Sequence, residues 1–138
     1  MIETWCRIYD LPVVKTTGEL FLTQREMDFY SKKFVFEKPI LLYSGSRDGF
    51  SSEKFHNLCD NKSKVLVLYK LKDSTIIGGY TTIGYKSKGG LVEDHTAFIF
   101  NLTTKTKFDV LNSMNAVFDV NTYGPSFGNG DITITLDN

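Results

Sequence analysis

Short apolar runs joined by hairpin-length connections constrain the fold of this chain more than any other feature. Six runs have the length of a strand, at residues 40–43, 65–69, 76–85, 97–102, 116–118 and 132–136. No helical pattern separates the later runs, which disfavours a parallel βαβ arrangement. The sequence therefore predicts an α+β fold, a two-layer antiparallel β-sandwich flanked by two or more short helices.

The stretch from Leu41 to Asp60 combines a strand, a polar turn and a helix start. Ser51 is the expected N-cap of a helix that runs from residue 52 to about residue 59. In the turn, Arg47 and Asp48 must pair if they are buried, and breaking a buried pair costs a few kcal/mol. We therefore interpret them as a structural clasp rather than a catalytic pair. In this clasp Phe50 helps to join the strand to the helix, and the clasp lies beneath the strand that contains Gly78 and Gly79.

The first third of the chain predicts one further helix. Thr23 and Glu26 form a capping box, and the pattern that follows is helical to about residue 33. Residues 1–19 show no clear period and predict an extended or irregular segment.

Glycines mark two further places where the backbone needs room. Gly78 and Gly79 lie inside a predicted strand, where paired glycines indicate a bulge or a close approach by another group such as an aromatic ring. The glycine-rich segment 123–131 is followed by a strand rather than a helix, so it predicts a turn and not a phosphate cradle.

Length, charge and cysteine content limit the class of protein. A chain of 138 residues predicts one domain. Its 16 basic residues balance 16 acidic ones, so the net charge of the protein does not favour binding to nucleic acid. Two cysteines make neither a disulfide framework nor a zinc set. No apolar run is long enough to cross a membrane, and the start of the chain does not resemble a signal peptide. We expect a cytoplasmic protein without membrane insertion, although association with an organelle remains open.

Three kinds of catalytic or ligand site were considered and are disfavoured. A hydrolase would combine a serine at 44, 46 or 51 with a histidine at 56 or 95 and an aspartate at 48, 94 or 131, but the GxSxG elbow is missing. His56 and Cys59 are three residues apart on the predicted helix, yet structural zinc requires four ligands. The aspartates do not match an EF-hand loop. We expect no catalytic residues, no metal and no cofactor.

Several motifs occur in an order that resembles the TLDc domain family. They are LLYSGSRDGFS at residues 41–51, FH at 55–56, CDN at 59–61, IGGYT at 77–81, Asp94 with Ala97, Phe98 and Phe100, and YGPSFGNG at 123–130. The resemblance begins at about Leu20, which makes residues 1–19 an N-terminal extension and residues 20–138 the TLDc-like domain. Tyr85 stands where the family often has Trp, and His95 where Pro is frequent. Family domains usually continue with further strands, so this fold is expected to be short at its C-terminal end.

The resemblance implies a non-enzymatic protein-interaction domain. It implies protection against oxidative stress and binding to, or regulation of, the vacuolar proton-pumping ATPase. A scaffold subunit of a larger assembly is the alternative, followed by a hydrolase or peroxide-consuming enzyme that uses Ser51, His56 or Cys59. The residues expected to form the structural motif are Arg47, Asp48, Gly49, Phe50, Gly78, Gly79, Tyr80, Tyr123, Gly124, Pro125, Phe127 and Gly128.

Overall fold

The computed structural model describes residues 3–9, 39–71, 73 and 75–136. The helix predicted from Thr23 to about residue 33 lies outside these residues. The described strands are β1 (Glu3–Tyr9), β2 (Pro39–Ser44), β3 (Val65–Lys70), β4 (Ile76–Thr81), β5 (Gly90–Val92), β6 (Phe98–Asn101), β7 (Thr106–Asp109), β8 (Val117–Asp119) and β9 (Ser126–Phe127). The described helices are α1 (Gly45–Asp48), α2 (Ser52–Cys59) and a 3-10 turn (Ser113–Asn115).

The strands form two antiparallel sheets. The larger sheet has the order β2-β1-β3-β4-β6-β7, and the smaller has the order β5-β8-β9. Together with the short helices, this architecture confirms the predicted α+β, sheet-dominated fold. No helix in the described part of the chain is long and apolar enough to cross a membrane.

Strand β1 lies inside the larger sheet, between β2 and β3. Its register places Trp5 opposite both Ser44 of β2 and Leu68 of β3. The segment before residue 20 therefore contributes a strand where the sequence predicted only extended or irregular backbone. An inner strand is held by two ladders of main-chain hydrogen bonds, so a weak side-chain pattern does not prevent it from forming.

The core lies between the two sheets and against α2. All five residues of the run 65–69 are at most 1% exposed, which confirms the prediction of a strand covered on both faces. Phe55 of α2 meets Tyr85 edge to face, with ring centroids 5.2 Å apart, and both side chains are fully buried. Burial of each such side chain contributes about 1.5–3 kcal/mol to folding.

Helix α2 begins and ends where the sequence predicts. The Oγ atom of Ser51 accepts a hydrogen bond from the backbone N–H of Lys54, so the predicted N-cap is formed. Phe55 and Cys59 lie four residues apart and both face the core. The helix is therefore docked through one face.

Strand β4 ends at Thr81, four residues earlier than the sequence predicts. Gly84 has a φ of +71°, and a Cβ atom there would collide with the main chain of Lys62. The backbone N–H of Thr82 donates to the carboxylate of Asp94 and not to a neighbouring strand. The backbone thus turns out of the sheet at this point.

Two further segments differ from the prediction. The segment 103–113 contains none of the six predicted strand-length runs, yet it includes β7, which pairs with β6. Within the predicted run 132–136, Ile132, Ile134 and Leu136 are buried in alternation, but the described backbone makes only an isolated bridge between Phe127 and Ile132. Side-chain alternation follows extended backbone, whether or not a full ladder forms.

Candidate functional site

Three large apolar side chains are exposed on β7 and the loop that follows it. Phe108 is 56% exposed, Leu111 102% and Met114 61%. We call these three residues the apolar patch. Phe108 and Leu111 line the same groove, and exposed apolar side chains that lie close together mark an interaction site more often than single ones do.

A groove of about 420 Å³ opens beside the apolar patch. It lies where the β6–β7 edge of the larger sheet meets β9 and the residue before β8. Its apolar lining includes Ala97, Ile99, Phe108, Val110, Ala116 and Phe127. Exposed polar groups that line the same groove include Asp109, Asn112, Asn129 and Asp131. The groove thus combines an apolar lining with carboxylate and amide groups at its solvent-exposed parts.

His56 is the centre of a second, polar cluster. Its Nδ1 atom lies 2.6 Å from Oδ1 of Asp60 and 3.1 Å from Oγ of Ser87, and Ser87 donates to the other Asp60 oxygen at 2.5 Å. The Nε2 atom faces the main-chain carbonyls of Val120 at 3.2 Å and Tyr123 at 3.0 Å. His56 is only 6% exposed. The cluster joins α2 to two loops that are distant in sequence.

The cluster holds a serine, a histidine and an aspartate, but not in the order of a hydrolytic triad. In a triad the serine and the carboxylate contact opposite nitrogens of the imidazole ring. Here Ser87 and Asp60 share Nδ1, and carbonyl oxygens occupy Nε2. His56 is therefore placed to hold loops together rather than to activate Ser87.

Asp119 lies beside this cluster and completes a group with possible metal ligands. One ligand atom each from His56, Asp60 and Asp119 lies within 4.8 Å of the others. The carboxylate of Asp119, however, accepts the backbone N–H groups of residues 86, 87 and 88 at 2.9–3.0 Å. Because the imidazole and carboxylate atoms already have hydrogen-bond partners, a metal ion would have to displace existing contacts. The geometry favours a structural loop clasp.

The other residues considered as catalytic have structural surroundings. Ser51 caps α2, and Cys59 is fully buried in the core. His95 is exposed and contacts Glu93 at 2.8 Å. Among the described contacts, none of these three side chains forms a hydrogen bond with a ring nitrogen of His56.

Asp94 forms a third polar cluster, at the end of β4. It is 4% exposed, and it accepts hydrogen bonds from the hydroxyl of Thr81 at 2.6 Å and from the backbone and hydroxyl of Thr96. Burial is the largest single influence on its pKa and raises it, but the hydrogen bonds together outweigh burial and hold the pKa below its ordinary value. Asp94 therefore stays ionised and anchors the loop after β4.

The Arg47–Asp48 pair is partly exposed, so the condition of burial is met only in part. The side chains are 33% and 18% exposed, and Arg47 Nη2 lies 2.7 Å from Asp48 Oδ2. Arg47 also donates to the carbonyl of Leu42, and Asp48 accepts the N–H of Ser44. The hydrogen bond from Arg47 lowers the pKa of Asp48. The pair joins β2 to α1, and it is only partly buried.

The glycines in β4 are covered by phenylalanine rings. A Cβ atom at Gly79 would lie 2.6 Å from Cδ2 of Phe127, and one at Gly78 would lie 2.6 Å from Cζ of Phe100. The predicted approach of an aromatic ring is present at both positions. Phe50 covers neither glycine and instead lies against Gly45.

The glycine-rich turn packs into the core. Tyr123 meets Phe118 edge to face at 5.0 Å, and a Cβ atom at Gly124 would meet Leu136 at 2.8 Å. The carbonyl of Pro125 accepts a hydrogen bond from the hydroxyl of Tyr69. Gly128, with a φ of +68°, lies against Asp131. Tyr80 lies outside this group and stacks on Phe98, with centroids 5.2 Å apart.

Sequence reasoning missed Ser87 and the apolar patch. The alternation of Thr106, Phe108 and Val110 is a strand signal that could have identified β7. Ser87 carries no such signal. It has a φ of +54°, and its contact with Asp60 depends on how the loop after Tyr85 folds.

Comparison with known proteins identifies one family. A family model described as "TLDc domain" matches residues 21–138. Comparison of the chain with curated proteins and with solved structures gave no match.

Proposed function

Because the chain belongs to the TLDc domain family, we propose that it is a non-enzymatic protein-interaction domain. Its partners are subunits of the vacuolar proton-pumping ATPase, and its role is protection against oxidative stress. The family resemblance implies both roles, and the surface of the domain supports the first part of the proposal.

The apolar patch carries the proposal. Leu111 is completely exposed, and Phe108 and Met114 are each more than half exposed. Exposure of large apolar side chains costs solvation free energy that a bound partner would recover. The patch lies next to a groove whose volume of about 420 Å³ can accept a large side chain of a partner.

The groove also defines the chemistry of the partner. Apolar side chains such as Ile99 and Phe127 line it, while the carboxylates of Asp109 and Asp131 lie at exposed positions. A segment with a large apolar anchor flanked by Lys or Arg satisfies both features. We expect the pump subunit that binds here to present such a segment.

The described geometry does not favour an enzyme. A catalytic serine needs a base, and Ser51 is occupied as the cap of α2. A peroxide-consuming thiol must be accessible, and Cys59 is 0% exposed. His56 contacts carbonyl oxygens through one nitrogen and Asp60 through the other. Each of the three residues thus has a structural task.

The proposal is tested by affinity purification of the tagged chain from its own cells, followed by mass spectrometry. We expect pump subunits in the wild-type sample and their loss with Leu111→Lys or Met114→Lys, because both replace an exposed apolar side chain with a positive charge that repels a basic partner segment. Protection of peroxide-stressed cells should fall in the same variants.

Leu91→Lys is the matched control. Leu91 is 38% exposed and lies on β5, outside the residues that line the groove. It should retain the pump subunits. Recovery of no pump subunit by a wild-type domain that is shown to be folded would contradict the proposal.

A further inference from the structure

Among the described strands, β7 lies at one edge of the larger sheet. Among the described strands it pairs only with β6, and the side chains of Lys107 and Asp109 are 41% and 76% exposed. A free edge presents unpaired N–H and C=O groups that another strand can bind. The edge shares Phe108 and Asp109 with the proposed pump-binding surface, but pairing between two copies of this chain involves no pump subunit, so the inference goes beyond the proposed function.

The ladder between β6 and β7 fixes which groups point outward. The N–H of Val110 bonds to the carbonyl of Ala97, and the register pairs Phe108 with Ile99. Since main-chain groups alternate in direction along a strand, Phe108 and Val110 face β6, while Lys107 and Asp109 direct their N–H and C=O groups outward. On its other side, β6 bonds to β4, and the N–H of Leu102, the residue after β6, donates to the carbonyl of Ile76. The even-numbered residues of β6 therefore face β4 and the odd-numbered ones face β7, in agreement with this assignment.

We propose that β7 pairs antiparallel with β7 of a second copy of this chain, with the two-fold axis at Phe108. In this register Lys107 lies opposite Asp109 of the second copy, and Asp109 lies opposite its Lys107. These are the two positions whose main-chain groups point outward, so each opposed pair forms two main-chain hydrogen bonds. The opposed side chains carry opposite charges, which favours the pairing.

Neighbouring registers are less favourable. The outward groups belong to odd-numbered residues, so the axis can also pass through Lys107 or Asp109. The first choice places Lys107 against Lys107, and the second places Asp109 against Asp109. Like charges directly opposite each other destabilise a pair of strands. Charge therefore selects the register that is centred on Phe108.

Phe108 strengthens the same arrangement. Its side chain lies on the opposite face of β7 from Lys107 and Asp109, and it is 56% exposed. At the two-fold axis the two Phe108 residues form a non-hydrogen-bonded pair, in which side chains approach most closely. The exposed ring of each copy would then be covered by the other.

Sedimentation velocity of the full 138-residue chain over a concentration series tests the proposal. We expect the wild type to change from monomer to dimer as the concentration rises. Lys107→Asp and Asp109→Lys should each weaken dimerisation at least tenfold, because each places like charges opposite one another. Glu93→Lys, which reverses a charge at an exposed position outside β7, should behave as the wild type.

Charge exchange makes the test specific. The double variant K107D/D109K should recover the wild-type dimer, and an equimolar mixture of the two single variants should form a heterodimer. The mixture matters because Lys107 and Asp109 also contact each other within one chain at 2.9 Å, and mixing restores only the pairs between chains. A wild type that stays monomeric, or a mixture without heterodimer, would overturn the proposal. Equal dimerisation of all variants would also overturn it, since another surface would then be responsible.

Discussion

Gly79 of β4 lies directly beneath the ring of Phe127, which comes from the other sheet. A Cβ atom at Gly79 would be 2.6 Å from two ring carbons, and Phe127 is only 1% exposed. Real Cβ atoms do not approach other atoms so closely, and a core at crystalline density leaves the ring little room to move. The contact sets how closely the two sheets approach at this point.

Gly79→Ala should therefore destabilise the fold by about 1–3 kcal/mol, the usual cost of overpacking a core. Chemical denaturation of the two proteins measures the difference. Gly90→Ala is the matched control, because a Cβ atom at Gly90 meets nothing within 4 Å. If the two variants lost equal stability, the Phe127 contact would not explain the effect.

Removal of the His56 side chain should cost about 2 kcal/mol or more. His56→Ala leaves Asp60 and the carbonyl of Tyr123 without their imidazole partner, and buried polar groups without partners cost about 1–3 kcal/mol each. Thermal unfolding measures the loss. His95→Ala removes a histidine whose side chain is 76% exposed and should melt as the wild type. An unchanged melting temperature in His56→Ala would show that the cluster does not hold the loops.

Patterns local in sequence identified much of the fold. The cap at Ser51, the fully covered run 65–69 and the glycines in β4 follow from neighbouring residue types, and the structure contains each of them. The family match at residues 21–138 agrees with motifs that also lie close together in sequence.

Contacts between distant segments were harder to predict. Ser87 reaches Asp60 across 27 residues, and His56 reaches Tyr123 across 67. No local pattern specifies which loops meet. The burial of Arg47 and Asp48 was open for a related reason, since local polarity does not tell how exposed a turn is in the folded domain.

Asp94 should make the stability of the fold sensitive to acid. Its pKa is lowered in the folded state, so its contribution to stability is present at neutral pH and is lost as the pH falls below about 4. Asp94→Asn removes the charge and should reduce the free energy of unfolding at pH 7 while flattening its decline toward pH 3. Urea denaturation at both pH values checks this. Glu93→Gln, at an exposed position, should keep the wild-type decline, and the same decline in Asp94→Asn would exclude Asp94 as its source.

Arg47 and Asp48 should contribute unequally to stability. Arg47→Ala removes a partly exposed ion pair, which is worth about 0–1 kcal/mol, whereas Asp48→Ala also leaves the N–H of buried Ser44 without its carboxylate partner. We expect a loss below about 1 kcal/mol for Arg47→Ala and a loss of about 1–2 kcal/mol for Asp48→Ala. Asp48→Asn, which keeps an oxygen acceptor for Ser44, should recover part of the difference in urea denaturation. A loss of several kcal/mol in Arg47→Ala would instead indicate that the ion pair is shielded from water.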